Sequence, residues 1–289
     1  MIIAVASGKG GTGKTTVAVA LAQALAAEGS PAPITFLDCD VEEPNAHLFL
    51  HPSIERREEV GILIPEVDTA KCTHCGRCAE VCVYHAIAVV GQKVLVFPEL
   101  CHGCGSCTWN CPEGAIHEVL NPTGIIEEGK AGDIRFAHGV LNVGEAMATP
   151  VIRQLKRRFL PSQGVAILDA PPGTACPVVE TMRGADFALM VTEPTPFGLH
   201  DLRLAVQVAR DELGILVGVV VNRDGVGDDR VDAYCREEGI PILLRIPLDR
   251  RVAEAYSRGE SILEAVPEYQ PQFVALVRRI QRMVEGRAP

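Results

Sequence analysis

Aromatic side chains are scarce. Eight Phe, four Tyr and one Trp make up 4% of the 289 residues, so the core has to be built mainly from aliphatic side chains. A positive charge balance is missing too. The formal charge of −10 argues against a nucleic-acid sheath or a polybasic membrane patch as the main business of the chain. No apolar run reaches the ~20 residues that a spanning helix needs; the longest lie around Gly214–Val221 and Ala185–Thr192. The opening MIIAVASGKGG has neither the basic region nor the long apolar region of a secretory signal. No low-complexity tract and no repeat of roughly 20–50 residues is visible. These absences, with 47% apolar and 22% charged residues, predict a globular, cytoplasmic chain.

What the chain has in excess is cysteine, 11 in all. In a cytoplasmic setting thiols bind metal or do chemistry more often than they form bridges. Eight of the 11 lie between Cys72 and Cys111. They form two quartets, Cys72-x2-Cys75-x2-Cys78-x3-Cys82 and Cys101-x2-Cys104-x2-Cys107-x3-Cys111-Pro112. This is the spacing of two-cluster bacterial ferredoxins, in which the fourth cysteine of each run ligates the other cluster. Zinc sites use C-x2-C pairs and need no such quartet. The expected ligand sets are therefore Cys72, Cys75, Cys78 and Cys111 for one [4Fe–4S] cluster, and Cys101, Cys104, Cys107 and Cys82 for the other. Val83 stands where a proline often follows the fourth cysteine, which removes no ligand. Tyr84–Ile87 and Glu113–Ile116 repeat a short exit from helix to strand. His74, His85, His102 and His117 are expected to be non-ligands, because cysteine fills every ligand position. A segment this short and polar cannot bury a large core and is expected to need its metal to fold.

Outside that segment the chain alternates short aliphatic runs with helical stretches. The runs are Met1–Ser7, Ile34–Leu37, Arg135–Leu141, Val165–Leu168, Phe187–Val191, Ile215–Val221 and Pro241–Ile246. Helices are expected at Lys14–Glu28 with a stop at Gly29, from Pro150 with Thr149 as N-cap, and over 198–213, 228–238 and 271–285. Continuous Val/Ile/Leu strands alternating with helices imply a mostly parallel sheet flanked by helices. The predicted organisation is an α/β domain over 1–66 and 121–289, with a small α+β, ferredoxin-like domain inserted at 67–120.

Gly8-Lys9-Gly10-Gly11-Thr12-Gly13-Lys14-Thr15-Thr16 fits the G-x-x-x-x-G-K-[ST] phosphate loop, preceded by a strand and followed by a helix. Glycines let backbone N–H groups turn around phosphate oxygens, the lysine reaches the β/γ-phosphates, and the threonine hydroxyl serves Mg²⁺. A glycine-rich turn alone would not explain Lys14 followed by two threonines.

The extra Lys9 makes this loop resemble the deviant Walker A motif, G-K-G-G-[TV]-G-K-[ST]-[ST], of the MinD/ParA/nitrogenase-iron-protein superfamily. The resemblance spans nearly the whole chain outside the insert. It implies an ATP-dependent homodimer in which Lys9 reaches the partner's nucleotide. Asp40 of Asp38-Cys39-Asp40 would orient the attacking water. Asp169, opening Asp-Ala-Pro-Pro-Gly-Thr, would serve Mg²⁺ in a switch segment whose Gly173 senses the γ-phosphate. Asn222-Arg223 looks like the family's adenine-reading step, and Gly225 stands where a guanine-type N-K-x-D would need Asp. ATP is therefore favoured over GTP. Ile246-Pro-Leu-Asp249 and the residues Val252, Ala255, Gly259 and Ile262 match the superfamily's C-terminal pattern. The whole resembles MinD-superfamily ATPases that contain a ferredoxin insert.

Cys39 and Cys235 read as structural thiols. Cys176 lies seven residues after Asp169, where the nitrogenase iron protein carries a ligand for an intersubunit cluster, but no counterpart of its second ligand is evident. The last helix places Phe273, Leu276, Val277, Ile280, Met283 and Val284 opposite Arg278, Arg279 and Arg282. MinD ends in a membrane anchor of this type, yet packing on the sheet is the expected role here. Three functions compete: ATP-gated electron delivery to a redox partner, iron–sulfur or metal-cofactor assembly, and MinD/ParA-like positioning. Two complete quartets suit electrons better than cargo, no nucleic-acid partner is expected, and no glutamine-hydrolysing domain is evident.

Overall fold

The computed structural model describes residues 1–29 and 32–286. Eleven strands are present among them: β1 (Ile2–Ala6), β2 (Ile34–Asp38), β3 (Ser53–Val67), β4 (Ile87–Val90), β5 (Lys93–Val96), β6 (Ile116–Ala131), β7 (Ile134–Leu141), β8 (Val165–Asp169), β9 (Phe187–Thr192), β10 (Leu216–Asp224) and β11 (Ile242–Pro247). The α-helices are α1 (Lys14–Ala27), α2 (His47–Leu50), α3 (Arg77–Glu80), α4 (Ser106–Trp109), α5 (Thr149–Phe159), α6 (Cys176–Met182), α7 (Pro196–Val206), α8 (Arg230–Glu237), α9 (Arg250–Ser257), α10 (Ile262–Ala265) and α11 (Gln270–Glu285).

Nine strands make one sheet in the order β11-β10-β9-β1-β8-β2-β7-β6-β3. The seven strands from β11 to β7 run parallel, as the mainly aliphatic runs alternating with helices imply. Two packed layers of side chains cover the faces. One joins α1 and α11 to the sheet through Leu21, Phe36, Phe187, Phe273 and Ile280; the other joins α5, α6 and α7 through Leu155, Met182 and Leu202. The core is aliphatic with a few fully buried phenylalanines, of which Phe36 and Phe136 stack at 6.0 Å. The apolar face of α11 is buried in the first layer, and its Arg279 donates to the Leu243 carbonyl oxygen.

Two features depart from the sequence expectation. First, β6 and β3 close the sheet as a long antiparallel ribbon, with Ser53–Val67 paired to Ile116–Lys130. The domain boundaries expected at 66/67 and 120/121 fall within these two continuous strands. The chain leaves the ladder for the cysteine-rich loops only at Asp68, and returns at Ile116. Second, Thr149 does not cap α5. The helix already includes Thr149, Ala148 takes the flanking position, and no side chain caps this end.

The ribbon carries residues 68–115 at its far end. There β4 and β5 form a two-stranded sheet, beside the single turns α3 and α4. The apolar packing is thin: Ile62, Ala86 and Cys101 in one cluster, Cys78, Ile87 and Ile116 in another. Cysteines thus fill core positions that aliphatic residues would fill in an ordinary domain. No helix among the described residues is long and apolar enough to cross a membrane.

Candidate functional site

The carboxyl ends of β1, β2 and β8 lie side by side and gather the predicted nucleotide residues. Residues 7–13 form the loop between β1 and α1, and Thr12, Lys14 and Thr15 are buried. Gly13, just before the helix, has φ 92°, and a Cβ there would stand 2.4 Å from Asn222 Nδ2. A Cβ on Gly8 would meet the backbone oxygen of Asp201 at 2.2 Å. Both glycines are therefore fixed by close approach as well as by the loop's curvature. Thr16 points elsewhere and lines a small cleft with Phe49 and Tyr256.

Thr15 Oγ1 donates to Asp169 Oδ2 at 2.5 Å. The other oxygen, Asp169 Oδ1, is buried and without a hydrogen-bond partner in the described structure. A buried orphan acceptor beside a hydroxyl is the pattern of a site completed by an ion or water. The donor set, carboxylate and hydroxyl oxygen, suits a hard divalent cation such as Mg²⁺. The Lys14 ammonium lies 4.0 Å from Asp40 Oδ2.

Asp40 and Asp169 both feel this lysine, Asp38 lies beside them, and burial sets the acidity of all three. Burial pushes the Asp40 carboxyl up to about 6; Lys14 opposes the rise and Asp169 adds to it. Burial also raises Asp169. It raises Asp38 as well, with the Asp169 charge contributing. Asp38 has a role that the motif did not reveal. It pairs across the ladder with Asp169 and accepts hydrogen bonds from the backbone N–H groups of Asp40, Asn45 and Ala46. It thereby folds the loop that presents Asp40. Gly173 N donates to the Ser7 carbonyl at 3.0 Å, tying the 169–175 segment to the phosphate loop.

Asn222 Nδ2 donates to the Thr12 carbonyl at 2.7 Å, and its Oδ1 accepts from Arg223 N. Here the side chain expected to read adenine braces the phosphate loop. Lys9 does not project freely: its ammonium sits 3.1 Å from Glu193 Oε2 of the same chain. Arg223, in a left-handed backbone conformation (φ 52°), takes the other oxygen of Glu193 at 2.5 Å. Nothing in the local sequence marked Glu193, whose partners lie 184 and 30 residues away.

At the far end of the ribbon the eight cysteines surround two separate hollows. One is lined by Cys72, Cys75, Cys78 and Cys111. The second is lined by Cys82, Cys101, Cys104 and Cys107. Each hollow thus combines three cysteines of one run with the fourth of the other. The two runs also match in detail: the N–H of Ala86 donates to Cys82 Sγ and that of Ala115 to Cys111 Sγ, both at 3.3 Å. Cys75 and Cys104 are exposed. Tyr84 stacks on His102 at 3.7 Å, both at the second hollow. His117 pairs with Glu66 at 2.7 Å. Trp109, the single tryptophan, stands 88% exposed on α4. Among the described residues no three His, Cys, Asp or Glu side chains converge closely enough to hold a single metal ion.

The remaining thiols differ in environment. Cys39 is fully buried and burial holds its thiol protonated; burial also raises Cys235, to about 11. Cys176 is exposed at the start of α6. Beside it runs a connection that the sequence did not disclose. Lys156 of α5 is buried and donates to the carbonyls of Glu180, Thr181 and Arg183 at the end of α6, while Arg153 forms a forked pair with Glu180. On its other side α5 grips the ribbon through Gln154 to the Gly61 carbonyl and Arg158 to Glu58.

Comparison with known proteins supports the nucleotide-binding domain and its fold. The profile of the CobQ/CobB/MinD/ParA nucleotide binding domain matches residues 3–262. An uncharacterized protein of Methanocaldococcus jannaschii, MJ0579, is 33% identical over 91% of this chain and 92% of its own. The iron-sulfur cluster carrier protein of the same organism is 26% identical over 42% of this chain and 47% of its own. Among solved structures, the cell division ATPase MinD of Pyrococcus furiosus shares the fold at TM-score 0.59 and 22% identity, over 98% of both chains. The septum site-determining protein MinD of Pyrococcus horikoshii, complexed with Mg-ADP, does so at TM-score 0.58 and 20% identity, over 99% and 98%.

Proposed function

The chain belongs to the CobQ/CobB/MinD/ParA family of nucleotide-binding domains, and from that premise we propose that it is a MgATP-dependent switch that carries two [4Fe–4S] clusters and delivers electrons to a partner protein. The observation that carries the reading is the division of eight cysteines into two crossed quartets, each around its own hollow. Four cysteines around one hollow supply the ligand number that a [4Fe–4S] cubane requires, and the crossed pairing is that of two-cluster ferredoxins. The matching N–H donors to Cys82 and Cys111 give the fourth cysteine of each run the same surroundings. Bound clusters would supply one-electron transfer.

The chain's own residues account for the nucleotide half. Lys14 and the loop from Gly8 to Thr15 hold phosphates, and Thr15 and Asp169 serve Mg²⁺. Asp40, whose carboxyl is poised near 6, accepts a hydrogen bond from the attacking water and is largely ionised at neutral pH. Two copies meet face to face, so that Lys9 of one neutralises charge developing on the other's nucleotide. Hydrolysis then releases the segment that begins at Asp169. The grip of α5 on both α6 and the ribbon supports a mechanical link from that segment toward the cysteine end. The inserted ferredoxin-like domain, 67–120 in the sequence reading, is on this view the electron-carrying head of the switch.

The test is an anaerobic preparation with iron and sulfide counted, followed by stepwise reduction with and without MgATP. About eight iron atoms per chain and midpoint potentials that move with MgATP are expected. Potentials and spectra that ignore MgATP would remove electron gating. A second reading, cluster assembly, draws on the likeness to the iron-sulfur cluster carrier protein and on the exposure of Cys75 and Cys104. Rapid passage of iron to an apo-acceptor would favour it over electron delivery.

A further inference from the structure

The two hollows differ in what stands behind them. Gly124 of β6 pairs with Leu141, the last residue of β7, so Ile116–Thr123 run past the main sheet with only β3 beside them. Because β7 runs parallel to β2, the ribbon leaves at the carboxyl edge, the edge that carries the nucleotide floor. Just beyond that edge Ile62, Ala86 and Cys101 form the apolar cluster behind the second hollow, with Ile64 and Cys82 against it. The turn at Gly103 is pressed onto β3 there: a Cβ would lie 3.2 Å from both Ile62 Cβ and the Leu63 carbonyl oxygen. One more side chain packs on this cluster, the half-buried Met147, and it lies outside the cysteine-rich segment and the ribbon. The first hollow differs: among the described residues, all those in its apolar cluster lie between Val67 and Ile116.

Met147 stands in the connection from β7 to α5, and that connection is anchored beside the nucleotide floor. At its start the Leu141 N–H donates to the carbonyl of Val41, the neighbour of Asp40, at 2.7 Å. Asn142 ties it to the ribbon, with its N–H on the Thr123 carbonyl and its Nδ2 on the Pro122 carbonyl. At its end it becomes α5, whose Lys156 holds the last turn of α6.

We infer that Met147 is a wall of the second cluster's site, and that through it MgATP shifts the reduction potential of the cluster on Cys82, Cys101, Cys104 and Cys107 while the other stays put. The second half rests on the electron-gating reading above; the first needs only filled quartets. Reduction adds negative charge, which water stabilises, so an apolar wall holds the potential down and a wall that moves lets it rise. A thioether on a flexible stem suits a contact that must repack. Met147 is on this account a positioning residue, acting through Ile62, Ala86 and Cys101.

The first measurement uses no nucleotide. The full-length chain, iron-loaded and anaerobic, is incubated with EDTA, and the thiols freed over time are alkylated with iodoacetamide and located by mass spectrometry. In Met147→Ala the thiols of Cys101, Cys104 and Cys107 should be freed about tenfold sooner than in the wild type, with Cys72, Cys75 and Cys78 unchanged. Met147→Leu, which keeps the bulk, should match the wild type. Release that ignores Met147→Ala, or that quickens in both quartets alike, overturns the wall. The second measurement is a potentiometric titration followed by EPR, with and without MgATP. One wild-type midpoint should move with MgATP and the other should not. In Met147→Ala that midpoint should start higher, by about tenfold in the reduction equilibrium or about 59 mV, and MgATP should no longer move it, although MgATP still binds in an equilibrium titration. A midpoint that follows MgATP in Met147→Ala as it does in the wild type overturns the relay and leaves electron gating intact. Wild-type potentials that ignore MgATP, with selective release in Met147→Ala, overturn electron gating and the relay with it and leave the wall standing.

Discussion

On the proposed reading Asp40 combines a chemical role with a thermodynamic cost. Its carboxyl ionises near 3.8 when solvated and near 6 in the folded chain. A raised carboxylate pKa means that ionisation opposes folding. The cost is absent below pH 3.8, grows as pH rises, and is fully present above about 6. Asp40→Asn should therefore raise the melting temperature at pH 7, with a gain that fades as the pH is lowered toward 4. The same variant should lose ATP hydrolysis, and the wild-type kcat/KM for ATP should fall on the acid side near pH 6, measured by phosphate release. A melting temperature that drops in Asp40→Asn at pH 7 would contradict the cost assigned to its burial. Gly13→Ala is expected to cost about 1–3 kcal/mol in denaturant unfolding, and to weaken nucleotide binding, because the new methyl displaces Asn222. At this scale the sequence was informative wherever chemistry is local. Lys14, Thr15 and Asp169 are recognisable by their neighbours in the chain. Asp38 and Glu193 are not, since each acts through partners that only the fold brings near.

The elements show a similar division. Most of the parallel strands were legible because they are short aliphatic runs set between helices, whereas β7, I-R-F-A-H-G-V-L, was only strand-like. The ribbon was not legible. Ser53–Val67 begins S-I-E-R-R-E-E-V, and glutamate-rich runs read poorly as strand. Their pairing makes sense of them: Arg57 meets Glu127 and Arg56 meets Glu128 across the ladder, a matching that no linear reading displays. Helix α5 is the element that joins the two halves. Lys156→Met should cost about 3 kcal/mol in urea unfolding, because three carbonyls at the end of α6 lose their common donor. Gln154→Ala should leave MgATP binding intact and weaken any response of the cysteine end to nucleotide, read as a smaller MgATP-induced change in reduction potential.

For the molecule as a whole, the ribbon extends the main sheet and holds the cysteine-rich end away from the nucleotide floor. Fourteen residue steps along β3 amount to roughly 45 Å. Replacing residues 68–115 by an Asp-Gly turn should close β3 onto β6 as a hairpin. Such a shortened chain is expected to bind MgATP in an equilibrium titration and to take up no iron on reconstitution. Loss of MgATP binding in a chain that still folds would mean that the nucleotide floor depends on the cysteine end for its shape.

The placement of Trp109 has an optical consequence. It is the sole tryptophan and stands on α4, between Cys107 and Cys111. Selective excitation of indole therefore lights one end of the molecule and leaves the nucleotide floor dark. Emission that changes colour or intensity when MgATP is added would report an event relayed along the ribbon, with no label attached to the protein.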